Sequence, residues 1–314
     1  MYLRRIVLLL AVLFCITDIF AQTPRAALEH YKNGNKKIDK GDFAGAIEEL
    51  SQAIVLSSRL EVNRSTASHA LTSNSFTEAA DASSSIGVID PLTADAYISR
   101  GFARYRQGDV DGAIADWDRA IRINPGRAVA YLDRGCAHYA KGEQAAALAD
   151  LDRALSINPR MALAYSNRGA IRREQGHTEE ALADLTRAIA LEPGEAKDYC
   201  NRGFVWIDKR DPQRALADFD AAIQLESRMA WAFEGRGIAK TFVRNLEGAI
   251  SDFGRALELD SGMVSAYMNR GLTLLLQGKD DEAAKDFARV LTLKPALKDE
   301  LETRIKLAEK LRSP

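Results

Sequence analysis

Apolar positions along the chain recur at two spacings. The short spacing is three or four residues, the step between neighbours on one face of a helix. The long one is 34 residues. Tyr97, Tyr131, Tyr165, Tyr199, Phe233 and Tyr267 stand four residues before Gly101, Gly135, Gly169, Gly203, Gly237 and Gly271. Ala113, Ala147, Ala181, Ala215, Ala249 and Ala283 follow each glycine by twelve residues. Next come a large apolar residue (Trp117, Leu151, Leu185, Phe219, Phe253, Phe287) and a small one (Ala120, Ala154, Ala188, Ala222, Ala256, Val290). The pattern predicts two short antiparallel helices per 34 residues, with small residues where backbones approach and large ones filling the space beside them. Pro125, Pro159, Pro193 and Pro295 close four units, and Ser227 and Ser261 stand there in the other two. One helix pair cannot bury its apolar face alone, so successive pairs must stack.

Polar residues keep the same period. Arg100, Arg134, Arg168, Arg202, Arg236 and Arg270 precede the glycines, and Asp116, Asp150, Asp184, Asp218, Asp252 and Asp286 recur on the second helices. Neither series contains a lysine or glutamate. That constancy predicts a ladder of Arg–Asp pairs within units or across to the next, where a planar guanidinium suits a carboxylate and an ammonium does not. The turns are Gly108-Asp109, Gly142-Glu143, Gly176-His177 and Gly278-Lys279. Arg210-Asp211-Pro212 and Arg244-Asn245 replace glycine in two units; Asn245 is the residue expected to take the left-handed conformation and Pro212 to open a helix.

The tyrosine–glycine–alanine–aromatic–alanine–proline order, in phase over six units from Thr93 to Leu297, resembles the tetratricopeptide repeat (TPR) family. The family pattern has leucine just before the glycine, where this chain has arginine. The resemblance implies an all-α fold, a right-handed α-solenoid of stacked helix-turn-helix repeats with a C-terminal capping helix. It also implies a concave groove, lined by first helices, that takes a protein or peptide partner. The matching places hold Ile98, Phe102, Tyr105, Arg106, Leu132, Tyr139, Arg173, Phe204, Ile207, Trp231, Phe242, Met268 and Leu272. Trp231 and Tyr105 are the strongest candidates for exposed contact, whereas Phe204 and Leu272 are expected to pack between units. Ile98, Leu132, Ser166, Cys200, Glu234 and Met268 fill the place of the family's carboxylate-clamp lysine, which argues against recognition of chaperone C-terminal tails.

The ends of the chain differ from the array. MYLRR, the apolar run Ile6–Ile16 and a small residue at Ala21 follow the order of a secretory signal peptide, residues 1–21. An exported protein, periplasmic or secreted, is expected. The run is short for a membrane span, and an uncleaved anchor is the alternative. Residues 25–60 read as a divergent unit with Gly34 at the glycine place. Residues 61–92 read as a degenerate unit or a long loop, a candidate hinge. There Thr66 and Ala82 replace arginine and aspartate together, and Ser83-Ser84-Ser85 and Gly87 weaken the second helix. Beyond the six regular units, residues 93–297, Leu297, Leu301, Ile305, Ala308 and Leu311 predict a capping helix over 298–314.

Composition narrows the function classes. The formal net charge is −1, without the basic surplus expected of a nucleic-acid or anionic-membrane binder. The four histidines fall in four separate units, and no HExxH motif, cysteine cluster, phosphate loop or nucleophile elbow occurs. No catalytic residue, metal ligand or cofactor is expected. Cys136 and Cys200, two units apart, are expected to be free thiols. The sequence favours a non-catalytic interaction scaffold. The alternatives are an accessory subunit of an envelope enzyme or secretion complex, and a binder of carbohydrate or another small ligand through groove aromatics.

Overall fold

The computed structural model describes residues 23–72 and 91–312, and all regular structure there is helical. The expected signal peptide lies outside the described residues. The chain divides into two compact units, Met1–Pro159 and Arg160–Pro314.

The first unit contains α1 (residues 23–39), α2 (Phe43–Thr72), α3 (Pro91–Arg106), α4 (Val110–Ile123), α5 (Ala128–Ala140) and α6 (Gln144–Ile157). The second contains α7 (Ala162–Glu174), α8 (Thr178–Leu191), α9 (Ala196–Asp208), α10 (Pro212–Leu225), α11 (Ala230–Phe242), α12 (Leu246–Leu259), α13 (Val264–Leu276) and α14 (Asp280–Leu293). A 3₁₀ turn, Pro295–Leu297, leads into α15 (Lys298–Arg312). The fold is therefore all-α, built of stacked helix-turn-helix repeats, with α15 packed on α13 of the last pair.

Each pair is closed by the small-against-large pattern. The twelve-residue alanines from Ala113 to Ala283 have no exposed surface, and Trp117, Leu151, Leu185, Phe219 and Phe253 are at most 1% exposed. The glycines sit against these rings: a Cβ added to Gly203 would lie 2.8 Å from Phe219 Cε1, and one at Gly271 would lie 2.5 Å from Phe287 Cε1. A larger residue would separate the two helices. Trp117 satisfies its indole N–H by donating to the Ile98 carbonyl at 3.3 Å.

The Arg–Asp ladder forms within each pair. In all six pairs Nε donates to Oδ2 at 2.7–2.9 Å and Nη2 donates to Oδ1 at 2.6–2.7 Å, a bidentate fork. The aspartates are only 3–6% exposed. These hydrogen bonds raise the pKa of Arg134, Arg202, Arg236 and Arg270 further above the usual guanidinium range. Each guanidinium carbon also lies 5.2–5.8 Å from the ring centroid of its own unit's Tyr or Phe.

The third nitrogen, Nη1, reaches the preceding pair. It donates to Ser51 Oγ from Arg100 at 3.0 Å, to Asp118 from Arg134, to Thr186 Oγ1 from Arg202 at 3.4 Å, and to Asp220 Oδ1 from Arg236 at 2.7 Å. The sequence posed these as alternatives, yet one side chain makes both connections. At the corresponding place before Arg270 stands Gly254, which has no side chain to accept.

Two local features differ from expectation. The left-handed residue in the α11–α12 turn is Arg244 (φ 62°), not Asn245, which instead caps α12 by accepting from Gly248 N at 3.0 Å. Arg210 takes the left-handed place (φ 58°) before Pro212. Of the C-terminal stripe, Leu301 and Ala308 are buried and Leu297 and Ile305 partly so, but Leu311 is 58% exposed.

The segment read as a degenerate unit or loop begins within α2. No helix break occurs near residue 60: α2 runs unbroken for 30 residues, because its sequence has neither proline nor a further glycine past Gly45 to stop it. Its first half packs directly on α3, with Ala46, Leu50 and Ala53 against Ala96 and Ala103. Ser51 and Arg100 are 49 residues apart where the same contact elsewhere spans 16, an excess of 33. The described contacts thus set the divergent first pair beside the first regular pair. Residues 73–90 lie outside the described residues.

The pair Arg270–Asp286 offers the simplest test of the ladder, since Gly254 supplies no second acceptor. Arg270→Gln or Asp286→Asn alone should each cost about 2–4 kcal/mol, as removing one partner leaves the other buried. A double-mutant cycle by denaturant unfolding should return a coupling of about 1–3 kcal/mol; zero coupling would remove the ladder from the stability of the fold.

Candidate functional site

The residues proposed from sequence divide between the two compact units. In the first, Ile98 and Tyr105 are half-buried beside Trp117, with the Tyr105 and Trp117 ring centroids 6.1 Å apart. Tyr105 is therefore a packing residue and not an exposed anchor: it closes over the large indole inside the α3–α4 pair, where Trp117 is 1% exposed. Arg106 is exposed and stacks over Phe43 at 4.9 Å and Phe102 at 5.8 Å, which ties α3 to α2. Leu132 is buried, and Tyr139 is 36% exposed.

One further carboxylate in this unit stands out. Asp133 is half-buried on α5 and makes no hydrogen bond or ion pair with the described residues. Burial pushes its pKa up to about 7. The corresponding residues of the other five regular units, Ser99, Asn167, Asn201, Gly235 and Asn269, carry no charge to desolvate.

In the second unit the first helices α7, α9, α11 and α13 bring several candidates together. A pocket of about 630 Å³ is lined by Arg173, Phe204, Ile207 and Trp231, with Lys197, Cys200, Asn201, Met229, Glu234, Ile238, Ser265 and Asn269. Trp231 is 57% exposed. Phe204 is half-buried, edge-on to Phe219 at 5.1 Å, and carries the Arg173 guanidinium over its face at 5.0 Å. Arg173 also pairs with Asp208 at 2.7 Å. Beside this pocket, and sharing Ile238 and Asn269 with it, is an apolar one of about 340 Å³ whose lining includes Thr241, Phe242, Leu272, Leu276 and Leu311. Phe242 is 53% exposed at its edge.

Met268 does not belong to this surface. It is 5% exposed and packs in the core with Leu274, Leu275, Phe287 and Leu301, because α15 covers that side of α13. Phe204 and Leu272, expected to pack between units, do so in part and also line the pockets.

The polar floor was not read from sequence as a group. Glu234 is 2% exposed, and burial raises its pKa above the usual carboxylate range against the opposing hydrogen bonds from Ser265 and Asn269. Asn269 Nδ2 donates to Glu234 Oε1 at 3.3 Å. Asn201 Nδ2 is buried without a hydrogen-bond partner. The Cys200 thiol is pushed up to about 12 by burial, so it is not a reactive thiolate; both it and Cys136 are unbridged. The available signal was the asparagine at one fixed place, Asn167, Asn201 and Asn269, just before the ladder arginine. Among the described residues no three metal-ligating side chains gather, and no helix is long and apolar enough to cross a membrane.

The free Asp133 carboxylate gives a pH test. Its folded pKa of about 7 exceeds the unfolded value of 3.8, so the folded state holds an extra proton between them. The Asp133 contribution to stability should fall as pH rises from about 4 to 7 and then level off. Asp133→Asn should raise the melting temperature at pH 8, by about 1–2 kcal/mol of stability after allowance for partial exposure, and leave it unchanged at pH 4. An equal gain at both pH values would exclude ionisation as the cause.

Comparison with known proteins completes the picture. Models described as TPR repeat and tetratricopeptide repeat match residues 101–142, 128–161, 162–195 and 234–297. No curated protein matches the chain by sequence. Among solved structures, pilF from Pseudomonas aeruginosa is similar with a TM-score of 0.59 at 20% identity, over 68% of this chain and 97% of that one. A tetratricopeptide repeat protein from Parabacteroides merdae aligns over 90% of this chain and 99% of its own, with a TM-score of 0.58 and 18% identity. The APC/C hetero-tetramer Cut9–Hcn1 gives 0.63 at 16% identity, over 85% of this chain and 52% of that one. Identities this low speak for the fold alone, while the repeat models speak for the sequence itself: the chain belongs to the tetratricopeptide repeat family.

Proposed function

We propose that the protein is a non-catalytic interaction scaffold that holds a protein or peptide segment against α9, α11 and α13 of its second compact unit. The supporting observation is the pair of adjoining pockets on these helices, with Trp231 and Phe242 each more than half exposed beside them. Large aromatic side chains at the edge of a concave surface are the usual anchors of an interface, and among the described residues these two are the exposed aromatics of this unit. The surroundings offer no nucleophile–base pair: Cys200 is held as a thiol, and Glu234 is hydrogen-bonded to Asn269 and Ser265. Activity in any assembly would reside in the partner.

The N-terminal segment adds an expectation of export to this reading. The exported protein should begin at Gln22, which mass spectrometry of material from the periplasm or medium would show; a chain starting at Met1 and retained with membranes would favour the anchored alternative.

Binding itself is tested by Trp231→Ala. Capture of partners from the protein's own cell extract, with affinity then measured for the one recovered, should show a loss of about 2 kcal/mol, roughly thirty-fold, with the melting temperature unchanged. Tyr105→Ala should do the reverse, lowering stability through the contact with Trp117 and leaving affinity alone. Equal binding by wild type and Trp231→Ala would move the interaction away from this surface.

A further inference from the structure

One step of the Arg–Asp ladder lacks its acceptor. Ser51, Asp118, Thr186 and Asp220 accept from Nη1 of Arg100, Arg134, Arg202 and Arg236. Before Arg270 that place is Gly254. A Cβ built on Gly254 would have Arg270 Nη1 at 3.9 Å and no other packing neighbour within 4 Å, so the space an acceptor would fill is open. Arg270 gives Nε and Nη2 to Asp286, while Nη1 makes no hydrogen bond with the described residues and is not buried. The Arg270 side chain is 26% exposed, against 14–21% for the other five ladder arginines.

Arg270 lines a pocket of about 290 Å³ with Ile250 of α12, Leu274 of α13, and Glu282, Lys285 and Asp286 of α14. This pocket shares no lining residue with the two beside Trp231 and Phe242. A second exception falls in it. Lys285 is exposed and makes no ion pair with the described residues, and the other five regular units have alanine or serine at its place, Ala217 and Ser251 in the two before it.

The preceding pair shows the complete arrangement. There Arg236 and Lys240 face Asp252 and Asp220, two cations to two carboxylates. In the last pair Leu274 stands where Lys240 does, but Lys285 brings a second cation to the same pocket. Asp286 has both oxygens in the Arg270 fork. Glu282 is exposed in the first turn of α14, where the helix N-terminus favours a negative charge. A second carboxylate at Arg270 is what the arrangement lacks.

We infer that the space beside Gly254 is a docking point for an aspartate or glutamate side chain of a partner protein. The carboxylate accepts from Arg270 Nη1 as Asp220 accepts from Arg236, and Lys285 is its counter-charge. A hydroxyl, as in Ser51, would satisfy the nitrogen but gain nothing from Lys285. The flexible lysine stem brings the ammonium to the carboxylate without a preset geometry. The site goes beyond the scaffold reading, because it is built from other residues than the Trp231 surface.

The test compares Gly254→Asp, which carries the acceptor in the chain itself, with Gly254→Ala, which leaves the nitrogen free. Both replace a glycine inside a helix, so both should melt no lower than wild type. A random linear peptide display library is panned on the full chain and counter-selected on Gly254→Asp, and calorimetry follows on the surviving peptides. These should share an Asp or Glu whose replacement by alanine weakens binding about tenfold, the worth of a hydrogen bond between charged groups. They should bind Gly254→Ala and Trp231→Ala as they bind wild type, and Lys285→Ala about threefold more weakly. Survivors without an acidic residue, or no peptide that distinguishes wild type from Gly254→Asp, would overturn the inference. So would loss of binding in Gly254→Ala, which would make the space itself the determinant, or loss in Trp231→Ala, which would place the peptides on the other surface. None of these outcomes removes the scaffold reading, whose own test is the Trp231 affinity.

Discussion

Everything in the stack depends on how a buried aspartate is held. The second helix of each of the six regular pairs carries an aspartate to a place with at most 6% exposure, where an unpaired charge would be untenable. A guanidinium sixteen residues earlier closes both carboxylate oxygens in one plane and lies over the aromatic ring of its own helix. The fork has only one geometry, so it fixes the two helices of a pair in one register, and a third nitrogen carries that register to the neighbour. Four aspartates have a second cation or a histidine nearby: Arg104, Arg172 and Lys240 at 2.7–3.0 Å, and His138 at 3.8 Å. A lysine in the ladder place could supply charge but neither the plane nor the third reach, which accounts for the unbroken arginine series.

Around that frame the apolar positions are matched in size. Phe219 shows how tightly: its ring faces Gly203 on one first helix and Gly235 on the next. Glycine at 235 therefore breaks the asparagine series for a steric reason, since the second unit has Asn201 and Asn269 on either side of it. The surface left on α9, α11 and α13 follows from the same packing. Aromatic rings that fill the pair interiors leave Trp231 and Phe242 without an interior to enter, and the polar floor lies between them.

Much of this was legible in the sequence because it is periodic. The helix pairs, the small-and-large matching and the Arg–Asp relation are each stated six times over, so no single residue had to be interpreted alone. What occurs once was harder. Met268 looks like a groove residue by position and is a core residue because α15 covers it. Tyr105 looks like an anchor and is held by an oversized neighbour found in one pair only, Trp117. Arg244 takes a strained conformation that composition assigns to Asn245, since capping α12 has the stronger claim on the asparagine. The polar floor was illegible for a different reason: burial of Glu234 and the missing partner of Asn201 are properties of several helices at once. The division at Pro159 is equally silent, because Asn158-Pro159 repeats the residues of Asn124-Pro125, where no division falls.

The direct packing of α2 on α3 has a consequence for what counts as a neighbour. The excess between Ser51 and Arg100 is 33 residues, one short of the array's period, yet the contact is made as in the other pairs. Adjacency in this fold is set by whether two surfaces match and not by distance along the chain. The first pair shows it: Ser51 on the divergent α2 accepts from Arg100 as Asp220 accepts from Arg236, so a regular pair docks by its own arginine on whatever acceptor the neighbouring helix presents.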